Sequence, residues 1–287
     1  LWPEYLGTPL LVSGESKFMY QTKSFAIAVG LLILRHLFSF IYYWSKSTEK
    51  NKLFAAAFRM KAVSMAQNYD AVFSKLARDY SVTMVAGSIV LPAPQIRDGK
   101  LVAGTGPLYN ISAVYAPDGT IYPDLVLKAF PTADELPFTT PAPVQNLPAF
   151  DTPAGRLGVL ICADSWFPQS YATLKSRGVD FIGVPSFGGG KPNMWDQPWA
   201  GYDGWPSPPD VDPKDIGHIT EGEAWLKYAM AGRIGESGAQ LGVNVILRGD
   251  LWDVDIEGGR ATVINDGKVT LQNPLLGASL FNLRLRI

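Results

Sequence analysis

The sequence has few of the residues that form disulfides, metal cages and histidine-based active sites. Its 287 residues include one cysteine and two histidines, and its formal net charge is -1. A single cysteine excludes an internal disulfide and a cysteine-based metal cage, and it suits a reducing compartment. The balanced charge leaves no basic stripe for nucleic acid. We therefore expect a cytoplasmic protein with no metal, no cofactor and no nucleic-acid partner.

The chain is long enough to bury a sizeable core, because 47% of its residues are hydrophobic. It shows no internal repeat, no low-complexity tract and no clear linker, which predicts a single domain over residues 1–287. No positively charged leader precedes an apolar core, so no signal peptide is predicted. The chain begins at Leu1 in what reads as the end of a strand. This start suggests a piece of a longer protein that lacks its first strand and helix.

Residues 25–44 form the longest apolar stretch, in which Arg35 and His36 are the only basic side chains and acidic side chains are absent. Its length of about 20 residues suits a bilayer, and lysines follow it as they do at membrane surfaces. Two ionisable residues near its middle are costly in lipid. An apolar helical insertion, buried in the protein or at a subunit contact, is favoured over membrane contact.

The order of apolar patterns predicts an α/β protein. Apolar residues at helical spacing predict a long amphipathic helix over 51–80, and continuous apolar runs predict buried strands. Strand, helix and strand in succession after residue 155 indicate a sheet with crossover helices. The predicted strands are 82–91, 109–115, 121–128, 156–162, 179–185, 243–247, 261–264 and 268–271, and further helices are predicted over 167–177 and 221–241.

A long loop is predicted over residues 188–217, which contain Trp195, Trp199 and Trp205. Three tryptophans argue against disorder. Aromatic side chains line both pockets and interfaces. A packed surface loop or subunit contact and a pocket wall are therefore equally supported.

Cys162 is the candidate nucleophile because it ends a predicted buried strand and precedes a helix. Ligand sites in such sheets lie beyond the strand ends, and free N–H groups at a helix start favour a thiolate or an oxyanion. A free cysteine is also commonly a small buried hydrophobe, and position alone leaves both interpretations open.

A nucleophilic thiol needs a base. His36 lies in the apolar stretch and His218 in a loop, so neither is at a strand end. A carboxylate can replace histidine if burial raises its pKa, and an ammonium group can stabilise the oxyanion that forms on attack.

Three spaced motifs resemble those of one known family. Residues 1–4 (LWPE) resemble a strand-end Pro-Glu motif, 127–128 (LK) with 135–138 (ELPF) a lysine motif, and 158–164 (GVLICAD) a nucleophile motif. Residues 178–186 resemble the strand that follows. Each motif is weak alone, but together, in this order, they resemble the nitrilase, or carbon–nitrogen hydrolase, superfamily over most of the chain.

The resemblance implies a Glu-Lys-Cys site in an α-β-β-α sandwich that assembles into homo-oligomers. Glu4 would act as the general base and Cys162 as the nucleophile, while Lys128 would stabilise the developing charge. The second glutamate near the family's lysine corresponds to Glu135. The substrate would be a small-molecule nitrile or amide, cleaved through a cysteine acyl-enzyme.

Two flanking residues complete the predicted site. The backbone N–H of Ala163 would join Lys128 in stabilising the oxyanion, and Trp166 would contact the substrate. Asp164 is better explained as a helix cap or structural hydrogen-bond partner. Arg233 and Glu236 are better explained as a structural ion pair at helical spacing.

Three features depart from the family's pattern. The first strand and helix are missing ahead of Glu4, so this residue is expected on a fraying terminus. The apolar stretch after Glu4 is unusual, and Ala163 with Trp166 matches no particular branch. An acyltransferase that uses the same acyl-enzyme, and an inactive truncated homologue, are the alternative functions.

Overall fold

The computed structural model describes residues 1–188, 193–204, 206–256, 259–273 and 279–283. Helices lie mainly in the first third of the chain and around the large sheet. Short 3-10 turns occur at Thr8–Val12, Cys162–Trp166 and several other places. The α-helices are α1 Lys17–Gln21, α2 Phe25–Arg35, α3 Leu37–Lys46, α4 Lys52–Tyr80, α5 Pro168–Ser176, α6 Glu221–Tyr228 and α7 Met230–Arg233.

The strands form one six-stranded sheet and several small ones. In chain order they are β1 Met84–Val85, β2 Ile89–Pro92, β3 Gln95–Arg97, β4 Lys100–Val102, β5 Leu108–Ser112, β6 Val114–Tyr115, β7 Val126–Leu127, β8 Ala149–Thr152, β9 Gly155–Val159, β10 Phe181–Ser186, β11 Leu241–Ile246, β12 Gly249–Leu251, β13 Val254–Ile256, β14 Thr262–Asn265 and β15 Lys268–Leu271. The large sheet has the order β15-β14-β11-β10-β9-β8, and β10 runs parallel to both of its neighbours. The smaller sheets are β2-β5-β7, β1-β6, β3-β4 and β12-β13.

Two clusters of buried apolar side chains hold four layers together. One cluster joins α4 to the β2-β5-β7 sheet. The other joins α5 and α7 to the large sheet, and it also contains Val85, Val114 and Val126 from the smaller sheets beside Leu157 and Val159. The layers therefore follow the order helix, sheet, sheet, helix, which confirms the predicted α-β-β-α sandwich.

Most predicted elements are present, but several boundaries were wrong. The run 109–115 is divided into Leu108–Ser112 and Val114–Tyr115, and the run 121–128 is a strand only over Val126–Leu127. The run 82–91 is two strands rather than one, because the amino-terminal segment packs against Gly87 in the gap between them. The strand before Cys162 ends at Val159, since Cys162 has a left-handed φ of 47° and begins a 3-10 turn. The predicted helix 221–241 breaks at Ala229, whose backbone is extended.

The amino-terminal residues are held between the two sheets, contrary to the expected fraying. The Trp2 N–H donates to the Val85 carbonyl at 3.0 Å, and the Glu4 N–H donates to the Ser186 carbonyl at 3.3 Å. A Cβ added at Gly87 would lie 2.4 Å from the Pro3 carbonyl oxygen, so a side chain at residue 87 would displace this segment. Glu4 is thereby fixed between β1 and β10.

The apolar stretch predicted over 25–44 is two helices, because the chain turns by 99° between α2 and α3. Glu15 anchors this bend through an ion pair with Arg35 at 3.2 Å and a hydrogen bond with His36 at 2.8 Å. Lys61 on α4 pairs with the same carboxylate at 2.7 Å. In the part of the chain that the structure describes, no single helix is long and apolar enough to cross a membrane. Helices α2 and α3, the bent pair, are long and apolar enough only when the two are counted together.

We expect Glu15→Ala to loosen the bent pair and lower the free energy of unfolding by about 2 kcal/mol, since a buried carboxylate that joins several cations is lost. Burial raises the pKa of Glu15, but Lys61 and His36 outweigh it, so the net pKa is lowered. This stabilisation is therefore present above the ordinary glutamate pKa and is lost as pH falls through the lowered value. Urea unfolding at neutral and acidic pH measures it, and an equal deficit at both would contradict this explanation.

Candidate active site

Four ionisable side chains from distant parts of the chain meet between the two sheets. Glu4 comes from the amino-terminal segment, Lys128 directly follows β7, Glu135 lies in the next turn, and Cys162 begins the 3-10 turn after β9. Their exposed fractions are only 1%, 2%, 4% and 6%, respectively. Because charged groups are rarely so deeply buried without partners, each group's contacts determine its charge.

Lys128 lies between the two carboxylates. Its Nζ donates to Glu4 Oε1 at 2.8 Å and to Glu135 Oε2 at 2.5 Å. Burial lowers the pKa of Lys128, but the negative charges of Glu135 and Glu4 raise it well above its ordinary value. Lys128 is therefore a fixed ammonium group.

The pKa values of the two glutamates move in opposite directions. Burial raises the pKa of Glu4, and the nearby Lys128 only partly offsets this. For Glu135, burial also raises the pKa, but the charge of Lys128, together with hydrogen bonds from Lys128, Tyr5 and Thr132, lowers it below its ordinary value. A pair of carboxylates with separated pKa values is typical of acid–base sites. Glu4 has the properties of a proton acceptor, and Glu135 those of a permanent anion.

Cys162 has a strained backbone and a protonated thiol. Its φ of 47° is unusual for a residue with a side chain, and such strain is concentrated at functional sites. The Sγ atom donates to the Phe187 carbonyl at 3.5 Å. Burial and the charge of Glu4 raise the pKa of the thiol, while Lys128 lowers it. The thiol also contributes to lowering the pKa of Glu4, so the charge states of the base and the thiol depend on each other.

Some residues that follow Cys162 line the cavity, and others hold the cysteine turn in place. Ala163 and Trp166 both line the cavity above the thiol. Asp164 instead accepts the N–H groups of Ala129, Phe130 and Ile161. Burial raises the pKa of Asp164 to about 7, against the lowering effect of Lys128 and these bonds. Asp164 is therefore a structural partner, as predicted, and it ties the cysteine turn to the segment after Lys128.

The cavity has a volume of about 1170 Å³ and contains all four ionisable groups in its wall. Part of its wall comes from the loop 188–217, through Met194, Trp199 and Tyr202. The pocket-wall interpretation of this loop is therefore confirmed for its described residues. Trp205 lies outside the described residues.

The remaining candidates lie away from the cavity. His36 pairs with Glu15, and His218 is exposed; among the described residues, neither histidine contributes to the cavity wall. Arg233 forms the predicted contact with Glu236 at 3.7 Å, but its stronger partner is Asp210, which accepts from both terminal nitrogens at 2.7 and 2.6 Å.

Two polar contacts of the site were missed from the sequence. Asn110 on β5 donates to both carboxylates, to Glu4 Oε1 and Glu135 Oε1, each at 2.9 Å. Tyr5 donates its hydroxyl to Glu135 and has a left-handed φ of 61°. The signal for Asn110 was an amide within an apolar strand, where a buried polar group needs a partner.

Comparisons with known proteins identify the family. The family model "Carbon-nitrogen hydrolase" matches residues 23–201. Human omega-amidase NIT2 is 30% identical over 118 residues, which are 39% of this chain and 39% of that protein. Nitrilase 2 of Arabidopsis thaliana is 25% identical over 133 residues, 42% of this chain and 39% of that protein. This chain thus spans well under half the length of these curated relatives.

Among solved structures, the carbon-nitrogen hydrolase from Helicobacter pylori G27 superposes with a TM-score of 0.49 and 19% identity, covering 79% of this chain and 67% of that one. A mutant amidase from Nesterenkonia sp. AN1, in complex with butyramide, has a TM-score of 0.48 and 15% identity, with coverages of 78% and 64%. The family model alone covers more than half of the chain. The protein belongs to the carbon-nitrogen hydrolase family.

Proposed function

We propose that the protein hydrolyses primary amides or nitriles, with Cys162 as nucleophile, Glu4 as general base and Lys128 as oxyanion stabiliser. The observation that carries the proposal is the arrangement at the cavity floor. A neutral thiol and a carboxylate of raised pKa line the same cavity, and that carboxylate is hydrogen-bonded to a buried ammonium group. Thiol, base and cation are the three groups that acyl transfer to sulfur requires.

Acylation of an amide follows from these contacts. Glu4 takes the Cys162 proton as sulfur attacks the carbonyl carbon, so that no free thiolate accumulates in the buried site. The carbonyl oxygen becomes an oxyanion, which the Lys128 ammonium and the Ala163 N–H stabilise. Collapse of this intermediate breaks the carbon–nitrogen bond, and ammonia leaves with the proton that Glu4 returns.

Deacylation uses the same base. Glu4 takes a proton from water as the water oxygen attacks the thioester, and the carboxylic acid is released as the thiol regains its proton. Glu135 touches neither sulfur nor water in this scheme. It holds Lys128 and, through Asn110, the Glu4 carboxylate at their positions, and it keeps the net charge of the three groups negative.

The pH profile tests the assignment of the base. Since Glu4 must be ionised to accept the thiol proton and burial raises its pKa, kcat/KM should fall as pH decreases through a value above the ordinary glutamate pKa of about 4.3. Ammonia release from a panel of primary amides and nitriles measures the profile. If the residual kcat/KM of Glu4→Gln falls at low pH in the same way as that of the wild type, another group is responsible for the fall.

A further inference from the structure

The cavity has a second, apolar end that the chemistry at Cys162 does not use. Its wall there is built from aromatic rings, where Phe25 lies 6.0 Å from Phe54 and 5.5 Å from Trp252, and Phe138 lies 5.4 Å from Phe54 and 5.8 Å from Phe58, between ring centroids. These rings line the same cavity as the reacting groups. Phe138 also donates its N–H to the Glu135 carbonyl, so this wall continues directly from the ionic site.

The volume of the cavity exceeds what a small amide needs. Pockets that enclose drug-sized ligands measure about 300–1,000 Å³, whereas this cavity measures about 1170 Å³. An amide of a few carbon atoms would leave the aromatic end filled only with water, which contacts such surfaces poorly. The volume and the lining therefore both favour a substrate with a large apolar group.

Resting on the proposed function, we infer that the substrates are primary amides or nitriles whose reacting carbon bears a bulky apolar group, and that this group occupies the aromatic end. Ammonia is the leaving group, so the only large part of such a substrate is on the acyl side. Helix α2 contributes Phe25 and Val29 to this subsite. The helical insertion after Glu4 would thereby set substrate size.

A series of straight-chain primary amides from acetamide to decanamide tests the inference. Each methylene group that enters the apolar end should raise kcat/KM about three- to fourfold, until the subsite is filled. A flat series would overturn the inference while leaving the proposed hydrolysis intact. Binding of the same amides to Cys162→Ala, by calorimetry, separates the two. If the affinity of Cys162→Ala rises with chain length but the wild type never releases ammonia, only the proposed hydrolysis is refuted.

A matched pair of variants locates the subsite. Phe25→Ala/Phe54→Ala removes two rings from the apolar end and should lower kcat/KM for decanamide about tenfold or more, with acetamide changed by less than about twofold. The control is Val63→Ala/Val72→Ala on the exposed side of α4, which should change neither. Equal losses for both amides in the first variant would contradict the assignment. If that variant does not fold, the wild-type series still decides.

The outer surface of the same insertion carries a second, independent observation. Large apolar side chains on α1–α3 face solvent, and Phe38 and Leu34 are 89% and 70% exposed. We define the apolar face as these exposed side chains: Phe18, Tyr20, Ile27, Leu34, Leu37, Phe38, Ile41, Tyr42 and Trp44. Spacings of seven on α2, and of four on α3, align its members along each helix. So many large apolar side chains exposed on one short segment favour an interaction site.

Charge around the apolar face identifies the partner. No acidic residue lies between Glu15 and Glu49 in the sequence, while this interval holds Lys17, Lys23 and Lys46, besides Arg35, which pairs with Glu15. One acidic residue, Asp253, reaches the start of α2, where it accepts the Phe25 N–H at 2.8 Å. A second copy of the chain, docked through the same face, would bring these cations against each other. Anionic phospholipid head groups complement them, and apolar side chains beside basic ones are typical of helices that lie in a membrane interface.

We propose that the apolar face binds the surface of a bilayer containing anionic phospholipid. Co-sedimentation with phosphatidylglycerol-containing vesicles tests this against vesicles of phosphatidylcholine alone. Phe38→Ser/Ile41→Ser should weaken binding about tenfold or more, and Val63→Ser/Val72→Ser should not. Equal vesicle binding by the wild type and Phe38→Ser/Ile41→Ser would overturn the proposal. So would a wild type that binds no vesicles but forms a concentration-dependent dimer that these substitutions abolish.

Discussion

Lys128→Met is expected to destabilise the fold by about 3–5 kcal/mol at neutral pH and to abolish ammonia release. Both carboxylates that Lys128 contacts are almost fully buried, at 2.8 Å from Glu4 and 2.5 Å from Glu135. Methionine has a similar length but no charge, so two buried anions would lose their shared cation. Removing one partner of a buried ion pair leaves an uncompensated charge, which costs this much.

The pH dependence of this loss separates charge from packing. In the wild type, the lowered pKa of Glu135 contributes stability that is present above the ordinary glutamate pKa and is lost as pH falls through the lowered value. Without the ammonium group, Glu4 and Glu135 keep the hydrogen bonds from Asn110, Tyr5 and Thr132 but lose their main compensating charge, so burial raises both pKa values above those in the wild type. The variant should therefore regain stability as pH falls to about 5, because its carboxylates then take up protons.

Denaturant unfolding at about pH 5 and pH 8 measures the difference in the free energy of unfolding between the wild type and Lys128→Met. The matched control is Lys227→Met, which removes an exposed lysine paired with Asp215 and should leave the free energy of unfolding almost unchanged at both pH values. A Lys128→Met deficit that stays constant between the two pH values would mean that lost packing, rather than uncompensated charge, explains the effect.

Glu4→Gln should lower kcat by roughly two to four orders of magnitude while the protein remains folded. Glutamine keeps the shape of the side chain and an oxygen for Lys128 and Asn110 to donate to. It cannot accept the thiol proton, and burial already holds the Cys162 thiol in its neutral form. General-base catalysis contributes about this factor.

Ammonia release under saturating substrate, together with the thermal unfolding temperature, checks the result. Glu223→Gln is the matched control, since Glu223 is an exposed residue of the capping box at the start of α6, and it should retain wild-type kcat. Wild-type kcat in Glu4→Gln would refute the assignment of the base. A loss of kcat accompanied by unfolding would be distinguished from a chemical effect by circular dichroism.

Local patterns predicted the parts of the site that depend on a few neighbouring residues. The cysteine, lysine and two glutamates each lie in a short motif, and the resemblance to one family identified all four as candidates. Asn110 and Tyr5 were missed because their contacts are made across the fold. Asn110 joins Glu4, which is 106 residues away in the chain, to Glu135, and nothing near Asn110 in the sequence specifies that contact.

Element boundaries failed where a distant contact overrides the local pattern. The run 82–91 is uniformly apolar, but Gly87 lies against the backbone of Pro3, and the strand is interrupted there. The stretch 25–44 has helical composition throughout, yet Glu15 binds Arg35 and His36 where the helices bend. Neither effect is visible in the composition of the segment itself.

Trapping the covalent intermediate tests the central claim most directly. The protein is mixed with a good amide substrate, quenched in acid during turnover, and examined by intact-mass and peptide mass spectrometry. We predict a mass increase equal to the substrate minus ammonia, located on the peptide containing Cys162, removed by hydroxylamine and absent in Cys162→Ala. Steady turnover with the adduct on another residue, or ammonia release that survives in Cys162→Ala, would contradict the account.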